Sequence, residues 1–131
     1  MAAEPGRAKI STLMSRRLVA VHPNTTIEVA IKLLKSTNVG LLPVVKEGRL
    51  VGIIDDKLLL KYETERNFSM TDSVEGIMKK PMFVEMDSSV DFSVKYVIEH
   101  GLTRLPVVNS DSDMKCVGVV SATELLSAKS A

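Results

Sequence analysis

The side chains that could carry chemistry are few, and their spacing narrows what that chemistry is. His22 and His100 each stand at the end of an element, and neither has a Cys, a His or an acid at metal-ligand spacing. The single cysteine, Cys116, lies inside an apolar run and reads as a small buried hydrophobe; one cysteine makes neither an internal disulfide nor a metal cluster. No nucleophile is set beside a base, and no glycine-rich loop is placed to cradle a phosphate, so the chain is expected not to be an enzyme and to use no metal and no catalytic cofactor. What remains is Ser121 with Glu124 three residues on, the spacing of a helix capping box, together with Arg104 at a strand end. Two basic pairs, Arg16-Arg17 and Lys79-Lys80, each precede a short strand candidate and read either as surface charge or as local positive potential.

The elements that must hold these residues occur twice. Leu42-Pro43-Val44-Val45, a polar turn, and Val51-Gly52-Ile53-Ile54 form one apolar hairpin; Leu105-Pro106-Val107-Val108, a longer turn, and Val117-Gly118-Val119-Val120 form the other. Each proline is expected at a strand start, where its missing N–H costs least. Ahead of the first hairpin, Leu18-Val19-Ala20-Val21 is a strand candidate, and Thr25 with Glu28 has capping-box spacing. Ile27, Ala30, Ile31 and Leu34 then share one helical face, which residues 36–40 close. After it, Asp55-Asp56 can cap a second helix carrying Leu58, Leu59 and Leu60. The second half replays the order: Met82-Phe83-Val84 as a strand, a helix opened by residues 87–89 and ended at Gly101, the hairpin, and a last helix from Ser121. Pro43 and Pro106 are 63 residues apart, and the same offset takes Ile27 to Val90 and Ile31 to Val94; past the longer turn the offset is 66. The chain is therefore a tandem repeat of strand, helix, strand, strand, helix, of α/β (α+β) class.

Boundaries follow from composition. Residues 1–9 read as a flexible, disordered start, 10–66 as the first repeat, 67–73 as a linker overlapping the polar stretch 63–69, which itself reads as linker, and 74–128 as the second repeat. Short lead-ins of helical pattern, residues 10–14 and 74–78, open the two repeats. A repeat of this size buries little apolar surface alone, so a pseudo-twofold pair is the expected packing. Seventeen basic against sixteen acidic residues leave a net charge of +1, and aromatics make up 4% with no Trp. That balance argues against nucleic acid as a partner, since neither a global field nor stacking platforms are at hand. The apolar runs are too short to span a bilayer, and a lone cysteine fits a reducing, cytoplasmic location.

The doubled pattern, Leu-Pro-Val-Val followed by Val-Gly and two β-branched residues and then a helix, resembles the cystathionine-β-synthase (CBS) domain. Two copies resemble the CBS pair, or Bateman module, over about residues 10 to 128, with no room in that span for a separate catalytic domain. The resemblance implies a stand-alone regulatory module, a homodimer, and two clefts for adenosine-containing ligands such as AMP, ADP, ATP or S-adenosylmethionine. In the family pattern a Ser or Thr just after the third strand meets phosphate, and an acid three residues later takes the ribose hydroxyls. The second copy matches with Ser121 and with Glu124, where the family usually has Asp. The resemblance places Thr103 and Arg104 on the adenine and phosphate side, Met82, Phe83 and Val84 at the first-strand wall, and Val119 as an apolar contact. The first copy departs from it: Asp55 replaces the hydroxyl, Leu58 replaces the acid, Gly40 and Leu41 precede the proline, and Val19 takes the wall position. A carboxylate about 5 Å from a phosphate charge costs roughly 3 kcal/mol at an effective dielectric of about 20, and about 1 when well solvated. The Asp55 cleft is accordingly expected to be the weaker one. The regulated partner protein is not legible, and a dimerisation platform with degenerate clefts is the rival reading.

Overall fold

A computed structural model of the chain describes residues 5–65 and 69–130. The helices are α1 (Ile27–Thr37), α2 (Asp56–Glu65), α3 (Val90–His100) and α4 (Ala122–Ser130). The strands are β1 (Leu41–Lys46), β2 (Arg49–Asp55), β3 (Val84–Glu85), β4 (Arg104–Val108) and β5 (Cys116–Ser121). The expected class holds: each repeat folds as an antiparallel hairpin with helices at its two ends in sequence, β1-β2 in the first and β4-β5 in the second. Both hairpins carry a register shift at the equivalent place, between Val44 and Val45 and between Val107 and Val108. The first turns on Glu47 and Gly48, both at positive φ (54° and 81°), as a two-residue hairpin turn requires.

Capping explains where the helices begin and stop. The side chains of Thr26 and Ser89 accept from the N–H groups of Val29 and Phe92, and Asn38 and Gly101 end α1 and α3 in the left-handed conformation. The cap of α1 thus falls one residue later than the Thr25–Glu28 spacing indicates. Thr25 Oγ1 is instead engaged by the His22 N–H, and Ile27 takes the first helical position because its side chain must be buried.

Several other expectations are corrected. Of Leu18-Val19-Ala20-Val21, only Val21 bridges, in parallel to Val44; of Met82-Phe83-Val84, only Val84 enters a strand, with Glu85, parallel to Val107 and Val108. In each case the chain turns toward its helix as soon as the edge of the hairpin has been met. Pro43 and Pro106 are the third residues of their strands rather than the first. At Pro43 the first cross-bond on that edge is donated by the Val21 N–H to the Pro43 carbonyl, so the ladder there uses the proline as an acceptor. Residues 63–65, expected in the polar linker, complete α2; residues 66–68 of that stretch lie outside the described residues. The lead-ins form 3-10 turns, Ile10–Thr12 and Val74–Gly76, rather than longer helix.

The compact units do not coincide with the two repeats as they follow in sequence, and one of them is discontinuous. One spans Val19–Pro81 and holds the first repeat; the other combines the described residues up to Leu18 with those from Met82 on, and holds the second. Each lead-in therefore precedes one repeat in sequence and packs against the other. In the first-repeat unit the Val74 N–H bonds to the Thr25 carbonyl and Lys79 pairs with Ile53 in both directions. In the second-repeat unit the Ile10 N–H bonds to Ser88, the Val90 N–H to Ala8, and Ser15 pairs with Val119 in both directions. Residues 5–9, expected as a disordered start, are thus built into that unit: Gly6 lies so close to Asp91 that a Cβ there would fall 2.3 Å from its carboxylate. Each unit has its own core, Ile27, Leu42, Val44 and Ile54 among the residues of one, Ile10, Leu105, Val107 and Val120 among those of the other.

Candidate functional site

Strand β5 delivers Ser121 to the N-terminus of α4, and the two residues singled out there meet directly. The Glu124 N–H donates to Ser121 Oγ at 3.1 Å, and the Ser121 N–H donates to Glu124 Oε1 at 3.0 Å, a complete capping box. Arg104 opens β4 directly opposite Ser121 in the ladder, and the preceding Thr103 carbonyl accepts from the Ala122 N–H at 2.9 Å. Four of the expected residues, Thr103, Arg104, Ser121 and Glu124, are thereby gathered at one end of the β4-β5 hairpin. Met82 and Phe83 are half-buried on the extended approach to β3. Val84 is 2% exposed and Val119 is buried as well, so both are committed to the apolar interior rather than to an open wall. A hydroxyl and a carboxylate at the start of the helix, with an arginine opposite in the ladder, offer acceptors for hydroxyl groups and donors for an anion.

The equivalent end of β1-β2 is built the same way with different side chains. The Asp56 N–H donates to the Gly40 carbonyl at 3.1 Å, matching Ala122 and Thr103, and Leu41 stands opposite Asp55 in the ladder. Asp55 Oδ1 accepts from the Leu58 N–H at 2.7 Å, so the carboxylate caps α2 as the Ser121 hydroxyl caps α4. Leu58, half-buried, returns no acceptor, and Val19 is half-buried in irregular chain. Asp55 Oδ2 takes an ion pair from Lys79 Nζ at 3.1 Å, with the Asp55 side chain 14% and the Lys79 side chain 41% exposed. The expected repulsion between Asp55 and a phosphate is therefore offset by an ammonium held beside it. What this end lacks is an acceptor for a ribose at Leu58.

The basic pair Lys79-Lys80 reads in the sequence as surface charge or as positive charge near a cleft, but the pairing of Lys79 with Asp55 and the place of its counterpart Ser15 are not legible there, because each belongs to a lead-in that crosses the other repeat's hairpin. A signal was present in Gly52 and Gly118, single glycines inside β-branched runs, which mark close approach of another backbone. A Cβ on Gly118 would fall 2.6 Å from the Ser15 carbonyl oxygen, and one on Gly52 would fall 2.6 Å from Met78 Sδ and 2.9 Å from the Lys79 carbonyl oxygen. The two glycines thus give Ser15 and Lys79 their places beside β5 and β2. In this register Lys79-Lys80 matches Ser15-Arg16, one residue away from the pairing that the two basic pairs suggest.

The remaining reactive side chains have structural places. His22 Nδ1 accepts from the Asn24 N–H at 3.0 Å within its own turn, and His100 packs against Tyr96 in a tilted contact, with ring centroids 4.3 Å apart. Burial raises the pKa of the Cys116 thiol, an effect partly countered by a hydrogen bond with the Gly118 backbone, so the thiol is a poor nucleophile at neutral pH. Among the described residues no three His, Cys, Asp or Glu side chains group as metal ligands, and no helix is long and apolar enough to cross a membrane.

Comparison with known proteins agrees with this geometry. The chain is 27% identical over 119 residues to the CBS domain-containing protein YhcV of Bacillus subtilis, covering 90% of this chain and 83% of that one. Among solved structures it is similar to CBSX2 in complex with AMP, the protein of that name being from Arabidopsis thaliana, with a TM-score of 0.80, 26% identity, and coverage of 92% of this chain and 94% of that one. The CBS domain pair of protein MJ0100, in complex with 5'-methylthioadenosine and S-adenosyl-L-methionine, superposes with a TM-score of 0.78 at 26% identity, with coverage of 92% and 94%. Both repeats, over residues 10–65 and 74–131, match the CBS domain, and the chain belongs to that family.

Proposed function

We propose that this protein is a regulatory module that binds an adenine nucleotide or another adenosyl ligand at the Ser121–Glu124 end of its second repeat. The observation that carries the reading is the reciprocal Ser121–Glu124 pair opposite Arg104, in a chain similar to CBS pairs solved with AMP and with S-adenosylmethionine. Ser121 and Arg104 serve the phosphate or tail, and Glu124 serves the ribose. One carboxylate holds about four lone-pair sites, so capping and ribose binding coexist. Met82 and Phe83 contribute apolar contact to the base. The first-repeat end, with Asp55, Leu58, Gly40, Leu41 and Val19, is the weaker site because Leu58 accepts nothing from a ribose. The protein is not a catalyst in this reading. It works as a homodimer in the cytoplasm, and ligand acts by stabilising one arrangement over another, as any ligand with differential affinity must.

A thermal-shift panel of AMP, ADP, ATP, NAD and S-adenosylmethionine, with guanine nucleotides as controls, tests this. A ligand at a hundredfold excess over its Kd adds about 2.7 kcal/mol to stability, a shift of several degrees. Adenosyl ligands are expected to raise the melting temperature and guanine nucleotides are not. No shift with any adenosyl ligand would favour a dimerisation platform with degenerate sites.

A further inference from the structure

Each candidate binding end carries a cation, and it enters from opposite sides in the two units. The residue that caps the unit's second helix, Asp55 or Ser121, ends the second strand of the hairpin, with a ladder partner on one side and the lead-in on the other. In the first unit the ladder partner is Leu41, buried and uncharged, and the cation is Lys79 of the lead-in, with Nζ 3.1 Å from Asp55 Oδ2. In the second unit the ladder partner is Arg104, half-buried, and the lead-in brings Ser15. The registers make the two lead-in positions equivalent: Lys79 pairs with Ile53 and Ser15 with Val119, each two residues before the cap and bonded in both directions. Residues two apart on a strand share a face, so position 15 stands diagonal to Ser121 as Lys79 stands diagonal to Asp55. A lysine spans that diagonal and a serine does not. The Ser15 Oγ accepts from the Arg17 N–H of its own chain at 3.2 Å.

We infer that position 15 sets how much negative charge the ligand carries at the second-repeat end, and that with serine there the end selects an adenosine monophosphate over the di- and triphosphate; this rests on the adenosyl reading above. Arg104 and Glu124 bring one charge of each sign to that end, and Ser121 and Ser15 bring none. One guanidinium forks onto the oxygens of one phosphate. Each further phosphate adds negative charge in the neighbourhood of the Glu124 carboxylate, and the lead-in supplies no ammonium at position 15 to meet it. The backbone does not forbid such an ammonium. Lys79 occupies the equivalent place in the first unit and extends to the capping side chain. There it answers the charge of Asp55, whereas the neutral hydroxyl of Ser121 leaves the charge requirement of the second end to Arg104.

Calorimetry of the full chain with AMP, ADP and ATP, divalent cations chelated, tests this, with S-adenosylmethionine as a ligand without phosphate. The parent protein is expected to bind AMP roughly three- to tenfold more tightly than ATP. Ser15→Lys is expected to reverse that order, with a gain for ATP over AMP of roughly tenfold or more that shrinks as salt is raised. Ser15→Met has similar length without charge and is expected to keep the parent order. A parent protein that prefers ATP to AMP would overturn the inference before any variant is made. So would Ser15→Lys shifting the three nucleotides equally or not at all, or Ser15→Met shifting their order as the lysine does. Binding of S-adenosylmethionine with no nucleotide bound would overturn this inference and leave the adenosyl reading standing. A parent protein that binds none of the four ligands would overturn both.

Discussion

Glu124 is asked to do two things with one carboxylate, and the two can be separated. Its Oε1 accepts the Ser121 N–H, which fixes the start of α4. In the proposed function it also receives the ribose hydroxyls, a charge-assisted pair worth on the order of 1.5–3 kcal/mol. Glu124→Gln keeps an acceptor for the capping box, so stability should change by a few tenths of a kcal/mol, while adenylate affinity should fall roughly ten- to a hundredfold. Affinity and melting temperature measured on the same variant check this, and a 2'-deoxy ligand should lose affinity for the parent protein but little more for the variant. At Asp55 the residue type alone pointed to electrostatic rejection of phosphate. The neighbouring Lys79 ammonium changes that; the basic pair suggested positive charge near a cleft, but its partner Asp55 was not legible because Lys79 is 24 residues away in sequence and reaches Asp55 only through the lead-in pairing.

The elements were legible to the extent that their stabilisation is local. The apolar face of α1, the β-branched hairpins, the Asn38 and Gly101 ends and the Ser121–Glu124 cap all follow from periodicity and capping chemistry within a few residues. The lead-ins were not, since their partners lie in the other repeat, and neither were the true lengths of the first strands, which depend on how far each edge can be reached. Gly52 and Gly118 were the available clue. Gly118→Ala places a Cβ against the Ser15 carbonyl and should destabilise the protein by about 1–3 kcal/mol. Gly76→Ala, with nothing within 4 Å of the added atom, should stay within about 0.5 kcal/mol of the parent. Urea denaturation of both variants makes the comparison, and equal stability would mean that the lead-in does not constrain β5.

As a whole the molecule is two units of one design whose candidate binding ends have diverged. One carries Ser121, Glu124 and Arg104; the other carries Asp55, Leu58 and Lys79. In the proposed function such divergence leaves one end to respond to ligand while the other is held by its own ion pair. The most direct test is titration calorimetry of the parent protein, Ser121→Ala and Asp55→Ala with the adenosyl ligand that gives the largest thermal shift. About one strong site per chain, lost in Ser121→Ala and kept in Asp55→Ala, is the predicted result. Two equal sites, or binding lost in Asp55→Ala and kept in Ser121→Ala, would contradict it.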